Sequence, residues 1–169
     1  MFNRREFMAA GAALAALCTA CRRTSYGVLG ENEAPALAAI CDQIIPADEY
    51  PSASQAGVLN YIDLQLAGHY RRHQKTYRQG LKQANDLSRS RFGVDLARAS
   101  AQQQFEIVST IEKENQAFFE LVRTHTMQGY YGTPRHGGNR DAVSWRMLGL
   151  DEPPLRGRAQ YDLTAGPRL

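Results

Sequence analysis

A rich supply of cysteine, long apolar runs, clean strand patterns and charge of one sign are all missing from this 169-residue chain. Two of its three cysteines, Cys18 and Cys21, fall near the N-terminus, and Cys41 stands alone in an apolar helical stripe, where a buried thiol behaves as a small hydrophobe. Once an N-terminal signal ending before Cys21 is removed, only Cys21 and Cys41 remain, so neither a disulfide-built scaffold nor a zinc site of paired cysteines is expected. The apolar run near the N-terminus holds only fifteen residues between Glu6 and Arg22, short of the about 20 that cross the hydrocarbon core as a helix. A permanent single span is excluded with it. The net charge is +3, and the one basic cluster, Arg71, Arg72, Lys75, Arg78 and Lys82, falls on the wet side of a predicted helix. So small a net charge argues against nucleic acid as a partner, whose binders carry a basic excess gathered on one face, and the cluster itself reads as a solvated helix face. No four-residue run alternates cleanly and no repeat of about 20–50 residues recurs, which sets aside a sheet or a solenoid.

What is present begins with an export address. Asn3-Arg4-Arg5-Glu6-Phe7-Met8 sets an arginine pair and Phe7 ahead of an alanine-rich run to Ala20, the pattern of a twin-arginine signal over residues 1–21. Chains so addressed meet the twin-arginine translocase and cross the membrane already folded. Folded transit is needed mainly when a cofactor, or a cofactor-bearing partner, must be assembled before export. Small residues precede Cys21 in Cys18-Thr19-Ala20-Cys21, which makes Cys21 a candidate for lipidation; plain cleavage nearby is the alternative. A lipidated Cys21 would hold the protein at the membrane surface without spanning it. The location expected is periplasmic, at the membrane surface through a partner or through Cys21.

Removing residues 1–20 takes away two of the 20 Lys and Arg and one of the 17 Asp and Glu, leaving 149 residues with a net of +2. That length suits one domain with a real core. Residues 22–34 read as a polar tether, 35–150 as the domain and 151–169, rich in Pro and Gly, as an irregular extended tail. Leu37, Ile40, Cys41, Ile44 and Ile45 keep helical spacing after Pro35, and Pro46 stops that helix. After a loop at 46–56, Val58, Leu59, Ile62 and Leu66 predict a second helix ended by Gly68. A longer amphipathic helix is predicted over 70–92, with Tyr70, Tyr77, Leu81, Ala84 and Leu87 inward, Gly80 weakening it and Gly93 closing it. Ser100 and Gln103 form a capping box that opens a helix with Phe105, Val108 and Ile111 inward. From Asn115 to about Tyr130 helix continues with Phe118, Leu121, Val122 and His125 on one side, as one helix with the last or as a pair. The expected fold is all-α, a single small helical domain of about five or six helices.

Catalytic groupings are thin. His69 and His73 lie four apart and could face one metal, but no carboxylate or cysteine stands at ligand spacing, so surface decoration is the favoured reading. His125 reads as a satisfied interior or interface histidine. Asp42, Asp48 and Glu49 flank a proline turn and read as caps or wet carboxylates, not as an acid/base pair. Gly137-Gly138 follows no strand and opens no helix in a βαβ unit, so it is not a phosphate cradle.

The densest run of special residues is Gly129-Tyr130-Tyr131-Gly132-Thr133-Pro134-Arg135-His136-Gly137-Gly138-Asn139, followed by Trp145 and Leu148-Gly149. Its physical picture is a rigid aromatic loop in which Asp141 can cap a short helix presenting Trp145. With Ile40-Cys41-Asp42-Gln43-Ile44-Ile45-Pro46, Gly57-Val58, Tyr61-Ile62-Asp63 and Phe118-Phe119-Glu120, this run resembles the gluconate 2-dehydrogenase subunit 3 family over nearly the whole mature domain. The twin-arginine start is typical of that family too. The resemblance implies a helical accessory subunit without a cofactor of its own. It would pair with a large subunit that binds FAD and oxidises a sugar, sugar acid or polyol, and a multihaem cytochrome c subunit would take the electrons. The small subunit would carry the export signal for the large one. No catalytic, cofactor or metal residue is assigned to this chain. The partner-interface candidates are Tyr130, Tyr131, Pro134, His136, Asn139 and Trp145, with packing of the loop on the chain's own helices as the alternative. The rival function is a stand-alone periplasmic metal-dependent enzyme using His69, His73 or His136.

Overall fold

The computed structural model describes residues 26–150, so the expected signal with Arg4, Arg5 and Phe7, the candidate Cys21 and the 151–169 tail lie outside the described residues. Within them the chain forms six α-helices, four short 3₁₀ turns and no strand. The helices are α1 (Glu33–Ile44), α2 (Val58–Ala67), α3 (Gln74–Phe92), α4 (Ala101–Glu114), α5 (Gln116–Tyr131) and α6 (Val143–Met147). The architecture is all-α.

Helix α1 is the pillar of the bundle and packs against α2, α3, α4 and α5. Its sequence explains why: Ala34, Ala36 and Ala39 are buried beside Leu37, Ile40 and Cys41, so small side chains let neighbours approach on several sides. The Cys41 thiol sits 3.2 Å from the Thr126 hydroxyl, and burial pushes its pKa up to about 12. Such a thiol is unreactive at neutral pH. Asp42, half-buried on α1, accepts from the Ser54 amide at 2.8 Å and the Ser54 hydroxyl at 2.6 Å, which orders the 46–56 loop. Asp48 accepts from the Tyr50 amide in the same loop at 2.7 Å.

The other elements follow their local chemistry. Gly57 caps α2 at a φ of 83°, a left-handed conformation that glycine adopts without strain. The capping box at Ser100 forms with both its hydrogen bonds. Asn115 caps α5 from between two helices, so the segment 101–131 is a helix pair with a one-residue break. Gly80 faces the Phe118 ring so closely that an added Cβ would lie 2.3 Å from its Cγ. It is a point of helix approach more than a weak spot in α3.

Three expectations need correction. Phe105 is not inward; it is 57% exposed, and Ile107 takes its place with Val108 and Ile111. At about 100° per residue, Phe105 stands about 120° round the helix from Ile111, whereas Ile107 and Val108 bracket it. Helix α3 starts at Gln74 and not at Tyr70, because a 3₁₀ turn, Arg71–His73, intervenes. Finally, the tether does not reach residue 34. Asp63, buried on α2, accepts from the amides of Gly27 at 2.8 Å and of Val28 and Leu29 at 2.9 Å, and Leu29 joins the core. Residues 27–29 thus form a strap on the domain, and α1 opens at Glu33, two residues before Pro35.

Candidate functional site

The 129–150 segment is built as a plate over the ends of α2 and α5. Two glycines make this possible: a Cβ at Gly129 would lie 2.9 Å from the Tyr61 ring, and one at Gly138 only 2.1 Å from the Gly129 carbonyl oxygen. The backbone of the loop therefore rests directly on the end of α5. Asn139 is the keystone. Fully buried at a φ of 43°, it donates to the Gly132 carbonyl at 2.8 Å and accepts from the Ser144 amide at 3.0 Å. Asn tolerates this left-handed conformation better than most residues. Asp141 and Ala142 also have positive φ, 56° and 52°, and Asp141 makes no side-chain cap on α6; the expected role of Asp141 belongs to Asn139.

Further ties fasten the plate. The Arg140 amide donates to the Ala56 carbonyl at 2.8 Å, and the Asn60 side chain donates to the Gly137 carbonyl at 2.9 Å. Tyr130 is buried and its hydroxyl donates to the Pro51 carbonyl at 2.8 Å. The indole N–H of Trp145 donates to the Tyr131 carbonyl at 3.0 Å, so the half-buried Trp145 serves the loop before any neighbour.

The six interface candidates thus divide. Tyr130 and Asn139 spend their side chains inside the chain and organise the plate, whereas Tyr131 and His136 are exposed and Pro134 is half-buried. Tyr131 and His136 line an open concavity of about 460 Å³ together with Tyr61, Met127, Gln128 and Gly132. Its floor is fixed, because the Gln128 side-chain oxygen accepts from the hydroxyls of Tyr61 at 3.2 Å and Tyr70 at 3.1 Å. Burial, followed by the Tyr70 hydroxyl, pushes the Tyr61 pKa up to about 12, so the Tyr61 phenol stays a protonated donor.

Beside this floor lies an aromatic stack. The buried His125 ring is parallel to Tyr70 at 4.3 Å between centroids and to Tyr77 at 5.9 Å, with its Nδ1 2.9 Å from the Tyr77 hydroxyl. Burial, then His73 and Arg72, pushes the His125 pKa down to about 4. A neutral ring satisfied by Tyr77 fits a structural role. His69 and His73 flank Tyr70, while His136 lines the concavity, and among the described residues no group of three His, Cys, Asp or Glu could hold a metal ion. The donor set of the rival metal enzyme is not brought together.

Asp63 and Gln128 had no place among the predicted functional residues. A carboxylate beside Ile62 in a buried stripe signals a charge that needs donors, which could have marked Asp63; nothing in the sequence pairs Gln128 with two tyrosines.

The model of the gluconate 2-dehydrogenase subunit 3 family matches residues 31–151. The chain belongs to that family. The match spans α1 to α6 and the whole plate, so the aromatic loop is part of the family's domain. No curated protein and no solved structure matches the chain significantly. Membership in a family of third subunits implies association with a larger dehydrogenase subunit.

Proposed function

We propose that this chain is a non-catalytic small subunit of a periplasmic flavin-dependent dehydrogenase of the gluconate 2-dehydrogenase kind, acting on a sugar, sugar acid or polyol. It supports assembly of the FAD-bearing large subunit and carries it through the twin-arginine translocase on the signal at residues 1–21. A multihaem cytochrome c subunit receives the electrons. Family membership over residues 31–151 carries the reading. The site is in keeping with it: the polar atoms of Tyr130, Asn139 and Trp145 hold the chain's own backbone, which is the work of a platform.

Isolation of the exported protein from membranes in mild detergent tests this. A co-purifying flavoprotein, shown by flavin absorbance and dye-linked sugar or polyol oxidation, is the expected result. A solitary chain with stoichiometric metal and its own turnover would overturn it.

A further inference from the structure

We propose that the concavity between α2, α5 and the 132–137 turn is the seat of the larger dehydrogenase subunit, which places an apolar side chain there and carboxylates opposite Arg135 and Arg140. The inference rests on the accessory-subunit reading and adds to it the surface and the chemistry of the contact.

Exposed apolar residues gather at this place. Met127, 43% exposed, and Tyr131, 37% exposed, stand on its wall. Leu64, 51% exposed, continues the patch, since an added Cβ at Gly137 would come within 2.7 Å of its Cδ1. Tyrosine, methionine and arginine together are the composition of an interface centre, where aromatic anchors and an adaptable thioether fill a partner's contours. The surface is also preformed. Gln128 is held by two tyrosine hydroxyls, Gly132 by Asn139 and Gly137 by Asn60, so docking orders little that is not already ordered.

Charge selects the occupant. Arg135 and Arg140 are exposed and enter no ion pair among the described residues. The Arg140 side chain lies beside Gly137, because a Cβ at Gly57 would touch both the Gly137 carbonyl oxygen and Arg140. A second copy seated by two-fold symmetry would turn like-charged rims of arginine towards each other, which opposes that arrangement. A heterologous partner with an acidic rim and an apolar tip is the complement.

The test is affinity isolation of the full-length tagged chain from detergent-solubilised membranes of its host, with the partner identified by mass and bound flavin. Met127→Glu and Tyr131→Glu should each reduce the flavin recovered by about tenfold or more. The double variant Arg135→Glu/Arg140→Glu should weaken recovery and flatten its dependence on salt. Phe105→Glu, on an exposed residue of α4 outside the lining, should recover flavin as the parent chain does. Thermal melts confirm folding, and Tyr131→Ser replaces any variant that melts early. Full recovery with the Met127 and Tyr131 variants refutes the surface and leaves the accessory reading intact. Absence of flavoprotein with the parent chain refutes the accessory reading itself. A homodimer abolished by Tyr131→Glu puts a second copy on this face and overturns the proposal.

Discussion

Replacing Asp63 by alanine removes the carboxylate that accepts from the three strap amides at residues 27–29. Three backbone amides lose their acceptor at once, and each would cost about 1–3 kcal/mol if left buried and unpaired. The strap need not stay, because peeling away lets water take the amides. The cost is then capped by what the strap gains from docking, chiefly burial of Leu29, about 1.5–3 kcal/mol. Amide exchange in a peptide covering 26–33 should therefore accelerate by a factor of about 10–100, at 1.4 kcal/mol per tenfold. Peptides from α1 and α5 should change little. Hydrogen exchange read by mass spectrometry makes the comparison, and Asp63→Asn, which keeps one acceptor oxygen, should fall between. Unchanged protection at 26–33 would refute the clamp, and equal loss throughout would make Asp63 a part of the global core instead.

Gly80→Ala should lower the melting temperature by several degrees, corresponding to about 1–3 kcal/mol, because the new methyl meets the Phe118 ring; an unchanged or raised value in calorimetry would deny the close approach. His125 should make stability fall with acid. Its folded pKa of about 4 lies below the ordinary 6.5, so the unfolded chain takes up the proton first; stability is full above pH 6.5 and declines down to about pH 4. Burial gives a ceiling of about 3 kcal/mol, and solvent screening leaves about 2; urea melts at pH 7 and 4.5 should show it, and His125→Phe should flatten the slope. Asn139→Ala should loosen the plate at a cost of about 2 kcal/mol and shift the fluorescence of Trp145, the chain's single tryptophan, to the red; unaltered emission would contradict the keystone role.

Legibility in the sequence followed the range of the interactions. Leu37, Ile40 and Cys41 of the α1 stripe and the Ser100 capping box are local in sequence and stand where periodicity and spacing put them, while Ile45 falls just past the end of the helix. The start of α3 was hidden because Tyr70 is drawn out of the helix by contacts to His125 and Gln128, each more than fifty residues away. Phe105 misled because an aromatic residue near the stripe outweighed its angular offset from Ile111. The strap is hidden in a polar stretch because its anchor is a carboxylate 34–36 residues downstream. In the site, the glycines and aromatics of 129–149 marked the loop correctly as special. Which of two adjacent tyrosines faces outward was not legible: Tyr130 turns to Pro51 and Tyr131 to solvent, a choice made by tertiary packing.

The central claim, that this chain escorts a flavoprotein through the envelope, is tested most directly by where the partner goes when the signal fails. With Arg4→Lys and Arg5→Lys together, cell fractionation should find both this chain and the flavin-bearing subunit in the cytoplasm. A flavoprotein that still arrives in the periplasm would contradict the account.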